Sequence, residues 1–395
     1  MGARAADPVP TAPRAEDRGP DLRLLLAWRN LAHDRVRFLV TLVGIVFSVV
    51  LMAVQSGLLV GFVVTIAGVV ENTDADVWAV GRGVRSIDLP TPIPERRRYQ
   101  ILSLPGVAQV DPFIHAFAVL KRPDGGAESV VVVGFDTATG VGGPWNLVEG
   151  RAEDLVQPDA IVIDRLYKAK LGIARIGEVV EINGRRARVA GFTDGIRTFT
   201  QAPHVFTDIK TARHLVGLGE ERLNYLLVRA APGQDVSALR DAIRQRVPEI
   251  DAHTRADFAR RSVLYWLVTT GAGFSLVISA ALGLIVGIVV TAQTLYATTI
   301  DHLPEYATLR AMGAPARYLH GIILRQAAIA AGLGYAIGIS IASLLVAGAR
   351  DSSAAMLMPW TLAAVLGAAT FAMCAGAALI SIRKVLAIDP VSVFR

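Results

Sequence analysis

Asp301-His302-Leu303-Pro304-Glu305-Tyr306-Ala307-Thr308-Leu309-Arg310-Ala311-Met312-Gly313 is the stretch that decides how the chain is read. It is charged and amphipathic, and it stands between two apolar runs at 263–300 and 318–349. A chain that only had to turn round between membrane helices would use a few polar residues with glycine or proline. This connection holds a turn signal, about two helical turns and a closing Ala-Met-Gly-Ala-Pro. It reads as a segment built to be gripped from outside the bilayer.

Working outward, two further apolar runs lie at 38–70 and 359–382. All four exceed the roughly 20 residues needed to cross about 30 Å of hydrocarbon. The chain of 395 residues is 53% hydrophobic and 19% charged, below the charged share of an ordinary soluble domain. Between the first two runs lies a polar stretch at 71–260, long enough for one or two small domains. The fold class is therefore an α-helical four-span membrane protein with a large α+β extracytoplasmic domain inserted between spans one and two.

The net charge of +6 invites a nucleic-acid reading, but its placement argues against one. Arg23, Arg29, Arg35 and Arg37 precede the first span, Arg310 and Arg317 separate the second and third, and Arg383, Lys384 and Arg395 follow the fourth. Cations beside spans on alternate sides follow the positive-inside rule. Both termini and the 301–317 segment are expected in the cytoplasm, the protein multi-pass in the inner membrane. The expected organisation is a disordered tail at 1–21, a cytoplasmic amphipathic helix at 22–37 anchored by Trp28, and the first span and stem at 38–70. The extracytoplasmic domain at 71–260 follows, then a second stem and span at 261–300 and the cytoplasmic helix at 301–317. Spans at 318–349 and 359–382 precede a cytoplasmic tail at 383–395. Runs one and two would reach roughly 50 and 57 Å as helices, so both are expected to project as stems that carry the domain.

Within 71–260, strands are expected at 76–80, 107–120, 129–135, 160–163, 178–182, 186–192 and 225–228, and helices at 209–216 and 238–247. Asn183-Gly184 is a strong hairpin signal. Pro90, Pro92 and Pro94 mark an exposed linker before a helix that ends by Leu104-Pro105-Gly106. Phe113, Phe117, Trp145 and Phe199 read as core. Small residues four apart, at Gly57/Gly61, Gly283/Gly287 and Gly334/Gly338, allow close helix approach in lipid. They serve packing within the chain or a homodimer seam.

Catalytic and cofactor chemistry is not marked. There is no Walker A pattern, no Gly-x-Gly-x-x-Gly after a strand and no Gly-x-Ser-x-Gly elbow. The seven histidines (His33, His115, His204, His214, His253, His302 and His320) share no ligand spacing. The single cysteine, Cys374, falls inside the fourth span. The spans are nearly free of ionisable groups, with Arg325 placed to snorkel to an interface, whereas ion-coupled carriers keep Asp, Glu or His near mid-membrane. Energy for any transport must then enter from outside the bilayer. No metal, no cofactor and no catalytic residue is expected in this chain.

Leu26-Ala-Trp-Arg-Asn-Leu31, Gly44-Ile-Val-Phe47, Leu104-Pro-Gly-Val107, Gly287-Ile-Val-Val290, the whole 301–313 block and Ala387-Ile-Asp-Pro390 with Val393-Phe394 resemble the FtsX-like/MacB-like ABC transporter permeases, and within them the DevC-like members. The likeness covers 22–395, and its longest motif is 301–313. It implies a permease that is not itself an ATPase, dimerises, and receives a separate ATPase on its cytoplasmic loops. ATP and magnesium would belong to that partner. Stem helices would carry the movement to the external domain, which is mechanotransmission. DevC-like members work with a membrane-fusion protein and an outer-membrane channel in efflux. The coupling helix would comprise Asp301, His302, Glu305, Tyr306, Leu309, Arg310, Met312 and Gly313. The runner-up is an FtsX-like regulator that activates an extracytoplasmic partner such as a cell-wall hydrolase.

Overall fold

A computed structural model describes residues 35–301, 304, 308, 312, 315–349, 352 and 355–386. The tail at 1–21, nearly all of the amphipathic helix at 22–37 and the end of the C-terminal tail lie outside the described residues. Four helices among those described are long and apolar enough to cross a membrane, over Phe38–Glu71, Gly273–Gln293, Ile323–Gly348 and Trp360–Leu379.

The chain enters α1 (Arg35–Glu71), then β1 (Val77–Gly81), β2 (Ile93–Pro94), α2 (Arg97–Leu102), β3 (Val107–Lys121), β4 (Ala127–Phe135), β5 (Leu147–Glu149) and β6 (Ala160–Asp164). It continues through α3 (Lys168–Leu171), β7 (Val179–Ile182), β8 (Arg185–Thr193), β9 (His204–Asp208), α4 (Ile209–Val216), β10 (Arg222–Leu223), β11 (Tyr225–Ala230), α5 (Val236–Arg246), β12 (Ile250–Thr254) and α6 (Arg255–Leu264). The membrane helices α7 (Gly271–Asp301), α8 (Ala316–Gly348) and α9 (Trp360–Leu386) follow.

Ten strands form one sheet in the order β12-β1-β11-β3-β4-β9-β6-β8-β5, with β7 beside β3 and β8. The β4–β9 and β6–β8 pairs are parallel, and the other pairs are antiparallel. Strand β3 organises the sheet. Its first half pairs with β11 and its second half, from Ile114, with β4. Residues 110–115 are consequently buried on both faces. Beyond them the pattern alternates, which leaves Phe117 45% exposed. The expectation that Phe117 is core is corrected, because the strand's period of two turns that position outward.

Alternation along each strand feeds two cores. Val77 and Ala79 of β1 join Val130, Val132, Ile161 and Ile163 under α4 and α5. Trp78 and Val80 face the other way, with Phe113, Val131, Phe206, Tyr225 and Phe258. Helix ends are set by local chemistry. Asp208, Asp235 and Thr254 each accept a backbone N–H at the starts of α4, α5 and α6, at 2.9, 2.8 and 3.2 Å, as N-caps do. Asn183 (φ 50°) and Gly184 (φ 76°) both take positive φ between β7 and β8, as a tight hairpin turn of the primed type requires.

Two compact units emerge, one from the described residues within 1–51, 284–340 and 364–395, the other from those within 52–283 and 341–363. In the first, Gly334 and Gly338 of α8 lie against Ile45 and Val49 of α1, and a Cβ at Gly367 of α9 would meet the Tyr335 ring at 3.2 Å. In the second, the extended segment 355–357 lies on Gly57 and Gly61 of α1, where Leu357 N–H donates to the Gly57 carbonyl at 3.1 Å. Two of the three glycine pairs thus make their close approach within the chain. Gly283 and Gly287 are also buried.

The second apolar run is not one helix. Following α6, residues Tyr265–Thr269 form a π turn, and Thr270 is extended at φ −99°, ψ 148° before α7 begins. The long unbroken second stem expected from hydropathy is corrected. Thr270 Oγ1 donates to the Trp266 carbonyl at 2.6 Å and accepts the Gly273 N–H at 3.4 Å. A Cβ at Gly273 would collide with the Trp266 carbonyl, so only glycine fits there. Apolar composition alone does not register such a break.

Candidate functional site

Two places bear on function: the 301–313 connection, and the junction where the stems meet the domain. In the connection, Pro304 and Thr308 are helical and exposed, and Met312 is 71% exposed. Thr308 Oγ1 donates to the Pro304 carbonyl at 2.9 Å, and Met312 N–H donates to the Thr308 carbonyl at 3.0 Å. Pro304, Thr308 and Met312 recur every four residues, and all three are exposed. Asp301 closes α7. His302, Glu305, Tyr306, Leu309, Arg310 and Gly313 lie outside the described residues.

The junction is described throughout. The outer end of α1 places Ala67, Val69 and Val70 in the same core as Trp78, Tyr225 and Phe258, and α6 contributes Phe258 and Ala259. Trp78 lies 5.3–5.7 Å, centroid to centroid, from Phe113, Tyr225 and Phe258. Aromatic clusters of this kind contribute packing beyond their buried area. Both stems are therefore rooted in one face of one sheet.

Loop 194–202 ties them a second time. Phe199 lies 5.3 Å from Phe62 of α1 and 4.5 Å from Trp266 of the π turn. Trp266 Nε1 donates to Ser86 Oγ and Asp88 Oδ2, each at 3.0 Å. Ile87 N–H donates to Ser262 Oγ at 3.2 Å, and its carbonyl accepts Tyr225 Oη at 2.7 Å. Arg197 Nε donates to the Ser352 carbonyl at 3.2 Å. The loop itself is held by Asp164, which accepts the Ile196 N–H at 2.6 Å and Thr193 Oγ1 at 3.0 Å. Burial pushes the Asp164 carboxyl above its usual range, and these hydrogen bonds oppose that shift.

His115 and His204 face each other at 5.7 Å in the interior. Burial lowers both imidazoles, His204 to about 3. Among the described residues no group of three or more His, Cys, Asp or Glu is placed to hold a metal ion. The junction joins both stems to the sheet through ring packing and hydrogen bonds. Phe62, Ser86, Asp88 and Trp266 were not singled out from the sequence, because each acts through partners far away along the chain.

Comparison with known families agrees with this architecture. The family model for the MacB-like periplasmic core domain matches residues 38–246, and that for the FtsX-like permease C-terminal region matches 262–390. The chain belongs to the MacB/FtsX-like ABC transporter permeases. An uncharacterized ABC transporter permease of Mycobacterium tuberculosis is 24% identical over 389 residues, covering 94% of this permease and 99% of the relative. One from Mycobacterium bovis is 24% identical over 383 residues, with the same coverage. The periplasmic region of MacB from Actinobacillus actinomycetemcomitans aligns with a TM-score of 0.37 and 14% identity, over 49% of this permease and 96% of that chain.

Proposed function

We propose that this permease is the membrane subunit of a DevC-like ABC efflux system, in which a separate ATPase docks on 301–313 and drives the extracytoplasmic domain through the stems. The rooting of α1 and the second stem in one aromatic core, bridged again by Phe199, carries this reading. A displacement of either stem must move the sheet, because packed cores shift as units rather than deforming continuously. The permease works as a non-catalytic homodimer in the cytoplasmic membrane with both termini inside. ATP and magnesium are bound by the partner, and a membrane-fusion protein and outer-membrane channel complete the export path.

The test uses the permease reconstituted with its ATPase. Glu305→Ala with Arg310→Ala should lower ATPase stimulation and export together, because docking is weakened. Phe199→Ala should spare ATPase binding and reduce export, because the bridge between the stems is lost. Unchanged stimulation and export in the double variant would sink the docking role. Full export in Phe199→Ala would sink the transmission role.

A further inference from the structure

A basic depression sits at the head of the second stem. It has a volume of about 390 Å³ and is lined by Arg244, His253, Asp257, Arg260, Arg261 and Leu264. Helix α5 supplies Arg244, β12 supplies His253, and α6 supplies the rest. Asp257 is occupied by Arg260 at 3.1 Å and by Arg240 at 3.6 Å, while Arg244 lies 3.9 Å from Asp241. These exposed pairs hold their charges loosely. Four guanidiniums (Arg240, Arg244, Arg260 and Arg261) thus stand against three carboxylates (Asp241, Asp251 and Asp257), leaving an excess of positive charge.

His253 shows what the depression lacks. Its ring is only 6% exposed and stacks on Phe258 at 7°. Arg244 Nη2 lies 3.3 Å from His253 Nδ1. A guanidinium can only donate, so Nδ1 accepts and the neutral ring carries its proton on Nε2. That Nε2–H is buried and has no hydrogen-bond partner. Burial lowers the imidazole to about 4, and Arg261 and Arg244 lower it further than Asp251 and Asp257 raise it. The field at the ring is positive, and the open donor calls for an anionic oxygen.

The position along the chain supplies the source. Tyr265 and Trp266 lie about one helical turn beyond Arg261, Leu264 and Val268 are 51% and 73% exposed, and an apolar span follows over Gly273–Gln293. Tyr265 beside exposed apolar residues fits a membrane interface, while the Trp266 ring turns inward to Phe199, Ser86 and Asp88. Arginines one turn above that level would reach the headgroups. Positive charge beside a span on the outer side also runs against the positive-inside rule, so topology does not account for it.

We infer that the Arg244–His253–Arg260–Arg261 depression binds the phosphate of an anionic phospholipid headgroup. The guanidiniums match phosphate oxygens in fork geometry, His253 Nε2–H donates to a third, and Leu264 lies along the glycerol side. This needs only the span at 273–293 and is independent of the efflux reading.

The full permease is placed in phosphatidylcholine nanodiscs, and hydrogen exchange at 253–264 is followed as phosphatidylglycerol is added, or inorganic phosphate alone. Phosphatidylglycerol should slow exchange there, and Arg261→Gln with Arg260→Gln should weaken the apparent affinity about tenfold. Arg261→Lys, which keeps the charge, should retain most of the effect. Both arginines are surface residues, and the unfolding midpoint of each variant confirms that it is folded. Protection by inorganic phosphate but not by phosphatidylglycerol would overturn the lipid source. No protection by either, or an equal response in the double variant, would overturn the site.

Discussion

The two stems of this permease are built differently. Helix α1 runs 37 residues without interruption, about 55 Å at 1.5 Å per residue. Ser48 and Thr65 donate back to the carbonyls of Gly44 and Gly61, at 2.8 and 2.9 Å, which satisfies their hydroxyls inside an apolar helix. The second stem is jointed: α6, a π turn, an extended Thr270 and then α7. π turns and Gly-flanked breaks are where helices bend. One stem is a rod and the other a rod with a joint. The joint interrupts the path from α7 into the domain, whereas α1 enters it as one continuous helix. Phe199, between Phe62 and Trp266, contacts both stems.

The largest effect is expected where the rod is seated. A Cβ at Gly61 would collide with the Ala355 carbonyl, whereas at Gly68, one helical stretch further along α1, nothing lies within 4 Å. Gly61→Leu should therefore destabilise the permease by about 3 kcal/mol, the upper range for overpacking. Gly68→Ala should be neutral or stabilising by up to about 1 kcal/mol, the helix-propensity gain. Unfolding midpoints of the two variants in detergent check this. Equal midpoints would mean that 355–357 does not seat the rod.

A second contrast is titratable. The head of the jointed stem carries His253, whose pKa falls to about 4, first through burial and then through Arg261 and Arg244. Helix α1 contains no histidine. A base depressed on folding contributes stability in full above its unfolded value of about 6.5. That contribution is lost as pH falls from 6.5 toward 4, because the unfolded chain then binds the proton more readily. Exchange at 255–264 should rise over that window before exchange at 60–71, and His253→Phe should flatten the rise. Equal acid sensitivity of the two segments in the parent protein would remove the contrast.

Much of this was legible in the sequence, and the gaps have physical causes. The four apolar runs, the Asn183-Gly184 hairpin, β3 and α4 all follow from local pattern. Strand β9, His204–Asp208, escaped notice although it lies between β4 and β6, because five residues with a histidine and a Thr-Asp ending lack both alternation and an apolar run. Strand β12, Ile250–Thr254, alternates over only five residues and ends in His-Thr, too short a pattern to stand out. The joint at Thr270 escaped because hydropathy averages over it. Residues such as Trp266 and Phe199 signal nothing alone: Asp88 and Trp266 are 178 positions apart in the chain, and only the folded sheet brings them together.

The smallest effect separates the joint from the bridge. Trp266→Phe removes the Nε1–H that Ser86 and Asp88 share but keeps an aromatic ring beside Phe199. Ser86 Oγ already donates to Asp88 Oδ2 at 3.1 Å, so the carboxylate is not left bare. The cost should be about 1 kcal/mol, that of one net hydrogen bond. Because Phe199 touches both stems, Phe199→Ala and Trp266→Phe should be coupled by about 0.5 kcal/mol or more in a double-mutant cycle. Phe62→Ala and Trp266→Phe share no direct ring contact and should add. If the Phe62 pair proved coupled while the Phe199 pair added, the stems would communicate through the Trp78 core instead. Loop 194–202 would then be a passenger on the junction rather than its second tie.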